Sequence, residues 1–244
     1  MIKREHYIKQ IRSFYDSDLI KIITGIRRCG KSVLLQQIKD EISAKTNNIL
    51  FLNFEDRLTK SLIKNADQLI NYVNNKVNNQ KYYLFFDEIQ NVDDWSDACK
   101  TLRLYGHSIF VTGSNSKLLS KEFTKELSGR YVSFRIKPFV YKEMVEYAKQ
   151  LGKTISVTEY MLYGGFPKVL EFSDPESKVM YLNDLDETIV KNEEIGKLGN
   201  ISKEKAFIYE NVPDDEAEAD SFLVSILNSD SDDFLSGLIQ SNLG

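Results

Sequence analysis

Two glycines, a lysine and a serine near the start of the chain have the spacing of a phosphate-binding loop. Gly25, Gly30, Lys31 and Ser32 fill the pattern G-x-x-x-x-G-K-S. Glycines let the backbone curl so that successive amide N–H groups point at phosphate oxygens, and a following helix adds the positive end of its dipole. A lysine at this position reaches the terminal phosphates, and the serine hydroxyl ligates Mg²⁺. The pattern predicts a site for a nucleotide with Mg²⁺.

The residues between and just after these glycines complete the predicted loop. Arg27 and Arg28 are both candidates for direct contact with phosphate, and Cys29 has a position that would suit oxidation sensitivity. The residues predicted to line the bound nucleotide are Gly25, Ile26, Arg27, Arg28, Cys29, Gly30, Lys31, Ser32 and Val33.

Asp87 and Glu88 follow an apolar run, residues 82–86. An acid at the end of such a run is the Walker B pattern, in which a buried carboxylate orders the Mg²⁺ shell. Glu88 is then placed to polarise the water that attacks a γ-phosphate. Exposed strand ends also contain acids. We favour the hydrolytic interpretation because a complete phosphate-binding loop precedes this pair by about 55 residues.

Two further polar positions are candidates for hydrolysis. Of Ser114 and Asn115 we favour Asn115 as the side chain that senses the γ-phosphate, although an ordinary turn has the same composition. Arg130 precedes the last predicted strand, where an arginine can act on the nucleotide of a neighbouring subunit. A surface salt bridge explains Arg130 equally well. The first interpretation requires a homo-oligomer.

The elements that must position these residues alternate between strand and helix. Strands are predicted at 20–24, 48–54, 82–86, 107–112 and 131–136, with helices over 66–79 and 92–104 and after the phosphate-binding loop. The second strand is continuously apolar over residues 49–52, which predicts burial on both of its faces. Short connections between such elements predict an α/β fold with an open parallel sheet and helices on both faces. Ligands then bind at the carboxyl ends of the strands. Beyond Pro138, helices at 141–150, 156–163 and 175–190 predict a small helical lid.

Two segments each have two possible interpretations. Residues 1–18 are predicted to form a helix that packs on the sheet, and Tyr7, Ile8 or Ile11 could alternatively contact an adenine base. Glu55 and Asp56 follow the second strand, where they could position water or metal. A solvated turn is the more common explanation for acids at such a position.

Six motifs in order resemble those of prokaryotic AAA-type P-loop ATPases: residues 23–32, 86–90, 111–116, 127–130, 138–139 and 164–167. The resemblance implies ATP as the nucleotide, Mg²⁺ as the metal, and a three-layer sandwich with a five-stranded parallel sheet in the order 5-1-4-3-2. It also supports the sensor role of Asn115 and the finger role of Arg130. The biological role of such proteins is mostly unassigned.

The chain departs from this family pattern near its end. Similar proteins usually continue into a C-terminal domain that resembles a nuclease, whereas no family motif follows about residue 193. We therefore expect an AAA-type ATP-binding core at 1–137, an incomplete helical lid at 138–195, and an atypical acidic tail at 196–244.

Composition limits the remaining possibilities. The net charge is −4, and residues 201–244 contain two lysines against ten acids, so the rest of the chain is only mildly basic. This gives no electrostatic support for nucleic acid binding. Two cysteines, no signal-like start and no long apolar run predict a protein of the reducing cytoplasm without a membrane span.

The sequence predicts Mg-dependent ATP hydrolysis, with Glu88, Lys31, Asn115 and Arg130 as the catalytic group and with Ser32 and Asp87 at the metal. The alternatives are a nucleotide-binding switch with little turnover and a truncated remnant of a larger ATPase. The sequence does not identify a protein partner.

Overall fold

The computed structural model describes residues 1–78, 80–114, 118 and 127–190. The chain divides into two compact units, Met1–Pro138 and Phe139–Gly244. Asn115 and the predicted acidic tail lie outside the described residues. Among the helices within the described ranges, none is both long enough and apolar enough to cross a bilayer.

The first unit contains ten regular elements in the described ranges. They are α1 Glu5–Arg12, β1 Ile20–Gly25, α2 Lys31–Ser43, β2 Ile49–Asn53, α3 Arg57–Leu62, α4 Ala66–Lys76, β3 Tyr83–Asp87, α5 Trp95–Leu104, β4 Ser108–Ser114 and β5 Tyr131–Ile136. A 3₁₀ turn, Ile89–Asn91, follows β3.

The five strands form one parallel sheet in the order β2-β3-β4-β1-β5. This is the predicted order 5-1-4-3-2 counted from the other edge, so the predicted fold is confirmed. The register pairs Asn53 with Asp87 and Gly25 with Ser114, which brings the carboxyl ends of β2, β3, β4 and β1 to the same edge.

Successive residues of the inner strands face opposite layers, as the two-residue period of a strand requires. On β3, Phe85 packs with α1 and α2, whereas Leu84 and Phe86 pack with α4 and α5. The α2 layer includes the predicted stripe Leu34, Leu35, Ile38 and Ile42, all of them buried. Trp95 is buried in the other layer, as a core residue rather than a ligand.

Three features of these elements differ from the sequence prediction for identifiable reasons. The strand β2 lies at the edge of the sheet, so only Leu52 is buried and the prediction of burial on both faces is wrong. Helix α5 begins at Trp95 because Asp94 before it has a left-handed backbone, with φ 52°. Helix α3 was not predicted; Asp56 caps it by accepting a hydrogen bond from Thr59 N at 2.9 Å.

The second unit is helical over its described part. It contains α6 Tyr141–Gln150, α7 Val157–Tyr163, a 3₁₀ turn Pro167–Glu171, and α8 Pro175–Val190. Met144, Ala148 and Leu170 form its buried cluster. Gly165 lies so close to Phe139 that a Cβ on Gly165 would be 1.9 Å from the Phe139 carbonyl oxygen. The helices agree with the predicted ones to within one residue.

Candidate functional site

The loop between β1 and α2 has the backbone that the glycine pattern predicts. Gly30 immediately before α2 has φ 94°, a left-handed conformation that favours glycine. At Gly25 space is the constraint: a Cβ there would lie 2.5 Å from the Ile136 carbonyl oxygen and 2.7 Å from Cys29 Sγ. Arg28 also has a left-handed backbone, with φ 63°. The loop therefore turns sharply twice before the amino end of α2.

Lys31 is buried under this loop. Its Nζ donates to the carbonyl oxygens of Gly25 and Ile26, at 3.3 and 3.2 Å, and lies 3.8 Å from Glu88 Oε1. The ammonium group is thus within reach of both the loop and the end of β3. This is the position from which a lysine can contact the terminal phosphates of a nucleotide.

Asp87 accepts two hydroxyl hydrogen bonds at the carboxyl end of β3. Ser32 Oγ donates to Asp87 Oδ1 at 3.0 Å, and Thr112 Oγ1 donates to the same oxygen. Asp87 is only 3% exposed, and this burial raises the pKa of its carboxyl group, while the Thr112 and Ser32 hydrogen bonds and Lys31 partly oppose the shift. Because Mg²⁺ prefers hard oxygen ligands, the paired Ser32 and Asp87 oxygens fit this metal.

Thr112 links the two acids at the end of β3. Its hydroxyl donates to Asp87 and accepts a hydrogen bond of 3.0 Å from the backbone N–H of Glu88. Glu88 has a left-handed backbone, with φ 53°, and its side chain is largely buried between Lys31 and Gln90. A non-glycine residue in this conformation is uncommon and often marks a functional position. Lys31, Ser32, Asp87 and Glu88 are thus brought together as predicted.

Arg4 supports the loop from beneath. Its side chain is 1% exposed and donates to the Cys29 carbonyl at 3.2 Å, to the Lys137 carbonyl at 2.8 Å and to the Pro138 carbonyl at 3.3 Å. The guanidinium carbon also lies 4.6 Å from the centre of the Tyr7 ring. One buried cation therefore ties the amino-terminal segment to the phosphate-binding loop and to the residues after β5.

The other loop residues differ in exposure. Arg27 and Arg28 are exposed at the tip of the loop, and Ile26 is half-buried. Val33 is exposed on the first turn of α2. Cys29 is buried, and this burial raises the pKa of its thiol, so the neutral thiol predominates and the expected oxidation sensitivity is not favoured.

Arg130 lies away from the site in its own chain. Its carbonyl accepts a hydrogen bond of 2.9 Å from Ile20 N, at the amino end of β1, whereas the loop follows the carboxyl end. Five residue steps of strand separate the two ends, or about 17 Å. Arg130 is exposed there. It could act on a nucleotide only in the site of a second copy.

The sensor candidates and the candidates for contact with adenine can be compared with the described residues. Ser114 is the last residue of β4, while the favoured sensor Asn115 lies outside the described residues. Ile8 and Ile11 are completely buried in the α2 layer, as the packing interpretation of α1 requires. Tyr7 is half-buried, and its hydroxyl accepts a hydrogen bond of 3.0 Å from Lys137 N.

The sequence interpretation missed Arg4, Gln90 and Thr112. For Thr112 a usable indication exists, because alternation along β4 places it on the face of Phe110, just as Asp87 shares the face of Phe85. Gln90 follows Glu88 by two residues, which is close enough to contact it. Arg4 has no such indication, since one arginine in a charged amino-terminal segment is usually exposed.

A family model described as an AAA domain matches residues 17–145, more than half of the chain. The chain belongs to this AAA family. The match covers the phosphate-binding loop, both acids of β3 and all five strands. The AAA family and the parallel sheet together identify a P-loop nucleotide-binding fold, and they support ATP binding at this site.

Two curated relatives resemble this AAA protein. An uncharacterised protein of Haemophilus influenzae is 38% identical over 204 residues, which cover 79% of this chain and 50% of the relative. An uncharacterised protein of Methanocaldococcus jannaschii is 35% identical over 171 residues, covering 65% of this chain and 38% of the relative. The chain spans half or less of the length of these relatives.

Two solved structures are among those to which this chain is similar at low sequence identity. AMPPCP-bound DnaA from Aquifex aeolicus has a TM-score of 0.48 at 13% identity, covering 90% of this chain and 77% of DnaA. Cdc6p from Pyrobaculum aerophilum has a TM-score of 0.40 at 12% identity, covering 59% of this chain and 47% of that protein.

Proposed function

We propose that this AAA protein binds Mg-ATP and hydrolyses its terminal phosphoanhydride bond. The observation that supports this most directly is the contact between the loop and β3. Ser32 Oγ is 3.0 Å from Asp87 Oδ1, and Lys31 Nζ is 3.8 Å from Glu88 Oε1. A lysine for phosphate, an oxygen pair for metal and a second acid for water are thus adjacent at one edge of the sheet. These are the parts that phosphoryl transfer to water requires.

The nucleotide is held by the loop and by Lys31. Amide groups of residues 26–30 and the amino end of α2 surround the β-phosphate. Lys31 Nζ exchanges the carbonyl oxygens of Gly25 and Ile26 for oxygens of the β- and γ-phosphates. Because the lysine is buried, it delivers its charge in a region of low dielectric constant, where it attracts phosphate more strongly than it would in water.

Ser32 and Asp87 would hold the metal through their hydroxyl and carboxylate oxygens. When bound, Mg²⁺ neutralises charge on the β- and γ-phosphates. Asp87 must be ionised for this role. The hydrogen bonds from Ser32 and Thr112 favour the ionised carboxylate, against the opposing effect of burial.

Glu88 is the proposed general base. Its carboxylate accepts a hydrogen bond from a water molecule and takes the proton as the water oxygen bonds to the γ-phosphorus. The bond from this phosphorus to the bridging oxygen breaks, and the ADP oxygen keeps the electron pair. A well-placed general base contributes about 10²–10⁴-fold to the rate.

Release of radiolabelled phosphate from ATP tests the proposal. We expect turnover by the wild type and a loss of about 10²–10⁴-fold in Glu88→Gln, which should still bind Mg-ATP. Lys31→Ala should lose binding as well. Glu146→Gln and Lys60→Ala, which change exposed residues outside the predicted site, serve as matched controls. Equal turnover in wild type, Glu88→Gln and Lys31→Ala would overturn the proposal.

A nucleotide-binding switch with little hydrolysis is the second candidate function. The observation in its favour is that Lys31 Nζ lies 3.8 Å from Glu88 Oε1, an ion pair that would keep the carboxylate of the general base engaged. Tight binding of Mg-ATP without phosphate release, even at high protein concentration, would support the switch.

The third alternative is a truncated remnant that folds poorly. Such a protein would lack a cooperative thermal unfolding transition whose midpoint rises with Mg-ATP.

A homo-oligomer is proposed because Arg130 can reach a nucleotide only in a second copy. We expect Arg130→Ala and Glu88→Gln to be inactive separately and to regain turnover when mixed, since one intact interface then forms. Failure of the mixture would assign Arg130 to a surface contact.

Both cysteines are buried and free, which suits the reducing cytoplasm that we propose as the location.

A further inference from the structure

Gln90 occupies the 3₁₀ turn directly after the two acids of β3. Its side-chain Nε2 donates a hydrogen bond to Glu88 Oε2. Hydrogen bonds of an N–H donor to a carboxylate are stronger than those between neutral groups, because the acceptor is charged. The other carboxylate oxygen, Oε1, is the one nearest Lys31. Gln90 and Lys31 therefore fix the Glu88 carboxylate from two sides.

The opposite end of the Gln90 amide has no such contact. Its Oε1 is buried and has no hydrogen-bond partner among the described residues. A buried acceptor without a partner costs about 1–3 kcal/mol. The amide cannot exchange its ends to avoid this cost, because Oε1 would then face the negative carboxylate of Glu88. The amide of Gln90 therefore contacts Glu88 while its own buried Oε1 lowers the stability of the fold.

Gly113 provides the space for this amide. A Cβ built on Gly113 would lie 2.2 Å from Gln90 Oε1, so any side chain at this position of β4 would displace Gln90. The neighbouring residue Thr112 holds the backbone of Glu88 through its hydroxyl. The end of β4 therefore determines both the backbone and, through Gln90, the side chain of Glu88.

We propose that Gln90 is a positioning residue for hydrolysis, which holds the Glu88 carboxylate in the orientation that accepts the proton of the attacking water. This inference rests on the proposed ATPase function and deepens it. Its physical basis is that the amide donates to the general base while its own Oε1 is buried and accepts no hydrogen bond from the described residues.

Gln90→Met is the decisive variant, because methionine has a similar length and removes both polar atoms of the amide. We expect kcat to fall about 10–100-fold, since a small displacement of a reacting group has effects of this size. The KM for Mg-ATP should change less than threefold, because the proposed contacts with the nucleotide are made by the phosphate-binding loop and Lys31. The thermal midpoint should change little, since the loss of the hydrogen bond to Glu88 and the removal of the buried unpaired oxygen have opposite effects on stability. Gln68→Met changes an exposed glutamine as the matched control.

A double-variant cycle shows whether Gln90 acts through Glu88. Glu88→Gln combined with Gln90→Met should be no slower than Glu88→Gln alone. The inference is overturned if Gln90→Met keeps kcat within twofold of wild type, if the two losses multiply, or if Gln90→Met lowers the thermal midpoint and nucleotide affinity together. Gln90→Ala is the second variant should methionine fail to fold.

The same measurements separate this inference from the proposed function. If wild type and Glu88→Gln release phosphate at equal rates, the ATPase proposal fails. If Glu88→Gln is slow and Gln90→Met is as fast as wild type, the ATPase proposal stands and the role of Gln90 is refuted.

Discussion

Ser32 Oγ and Asp87 Oδ1 are 3.0 Å apart although 55 residues separate them in the chain. The contact joins the first turn of α2 to the last residue of β3. It depends on the strand order, because β4 lies between β1 and β3 and contributes Thr112 to the same carboxylate oxygen. Three chain segments therefore meet at one oxygen atom.

Asp87→Asn should separate stability from function. Burial raises the pKa of the Asp87 carboxyl group, so the folded state binds more protons than the unfolded state between the ordinary value of 3.8 and the raised value. Stability thus falls as pH rises through that window, and the cost persists at neutral pH. Asparagine removes this charge and keeps an acceptor oxygen.

We expect Asp87→Asn to have a higher thermal midpoint than the wild type in the absence of nucleotide. The rise should be about 2–4 °C for each kcal/mol gained in the free energy of unfolding. The further rise caused by Mg-ATP in the wild type should disappear. Differential scanning fluorimetry with and without Mg-ATP measures both effects. A lower midpoint without nucleotide would contradict the argument from burial.

Thr112→Val should weaken both stability and turnover. Valine has nearly the shape of threonine, but it leaves Glu88 N–H without its acceptor and Asp87 without one donor. We expect a loss of about 1–3 kcal/mol in the free energy of unfolding, which urea titration measures. Thr112→Ser retains the hydroxyl and is the control. If Thr112→Ser loses as much stability as Thr112→Val, a specific role of the hydroxyl group is contradicted.

Arg4→Met should loosen the phosphate-binding loop. Three backbone carbonyls, of Cys29, Lys137 and Pro138, lose a charged donor. We expect a loss of about 1–3 kcal/mol in stability and a higher KM for Mg-ATP. Arg4→Lys should not restore the wild type, because an ammonium group lacks the forked geometry that reaches several carbonyls.

Arg12→Met is the matched control for Arg4. Arg12 forms ion pairs with the exposed Glu5 and the half-buried Glu41, and pairs that remain open to solvent contribute about 1 kcal/mol or less. If both arginine variants lose the same stability and leave KM unchanged, the support of the loop by Arg4 is disproved.

Lys21 should make stability depend on pH. It is completely buried on β1, where Nζ donates to Ser108 Oγ at 2.8 Å and to the Ser17 carbonyl at 3.1 Å. Burial lowers the pKa of Lys21 to about 7, with a further lowering by Lys81 and opposing effects of Asp16 and Asp18. Between pH 7 and the ordinary value of 10.5 the unfolded chain binds the extra proton, so stability rises with pH.

Lys21→Met should remove this dependence. The difference in unfolding free energy between wild type and variant should change by at most about 1.4 kcal/mol per pH unit across that window, with the variant favoured most at pH 7 and below. Urea titrations at several pH values measure this difference. Lys60→Met, at an exposed lysine of α3 that does not influence the pKa of Lys21, is the control. A difference that is constant with pH would contradict the buried ammonium argument.

The sequence was sufficient for the parallel sheet, its strand order and the four central residues of the site. Apolar runs and the glycine spacing determine these features locally, and the family resemblance supplied the strand order. Burial of β2 was mispredicted because an edge strand and an inner strand can have the same apolar run. Only the position in the sheet decides between them.

The residues that support the site were not predictable in the same way. Arg4, Gln90 and Thr112 act on Cys29, Glu88 and Asp87 through contacts that no spacing rule specifies. Thr112 required the strand register, and Arg4 required the packing of the amino-terminal segment on the loop. Such contacts depend on tertiary structure rather than on local sequence pattern.

The buried Arg4 also makes the amino terminus useful as an optical probe. Met1 is 77% exposed, whereas Arg4, three residues later, is 1% exposed and bonded to the Cys29 carbonyl of the loop. Three residues span at most about 11 Å. A small fluorescent dye coupled to the amino terminus would therefore lie near the phosphate-binding loop, and its emission could follow the arrival and departure of nucleotide in real time without any substitution in the site.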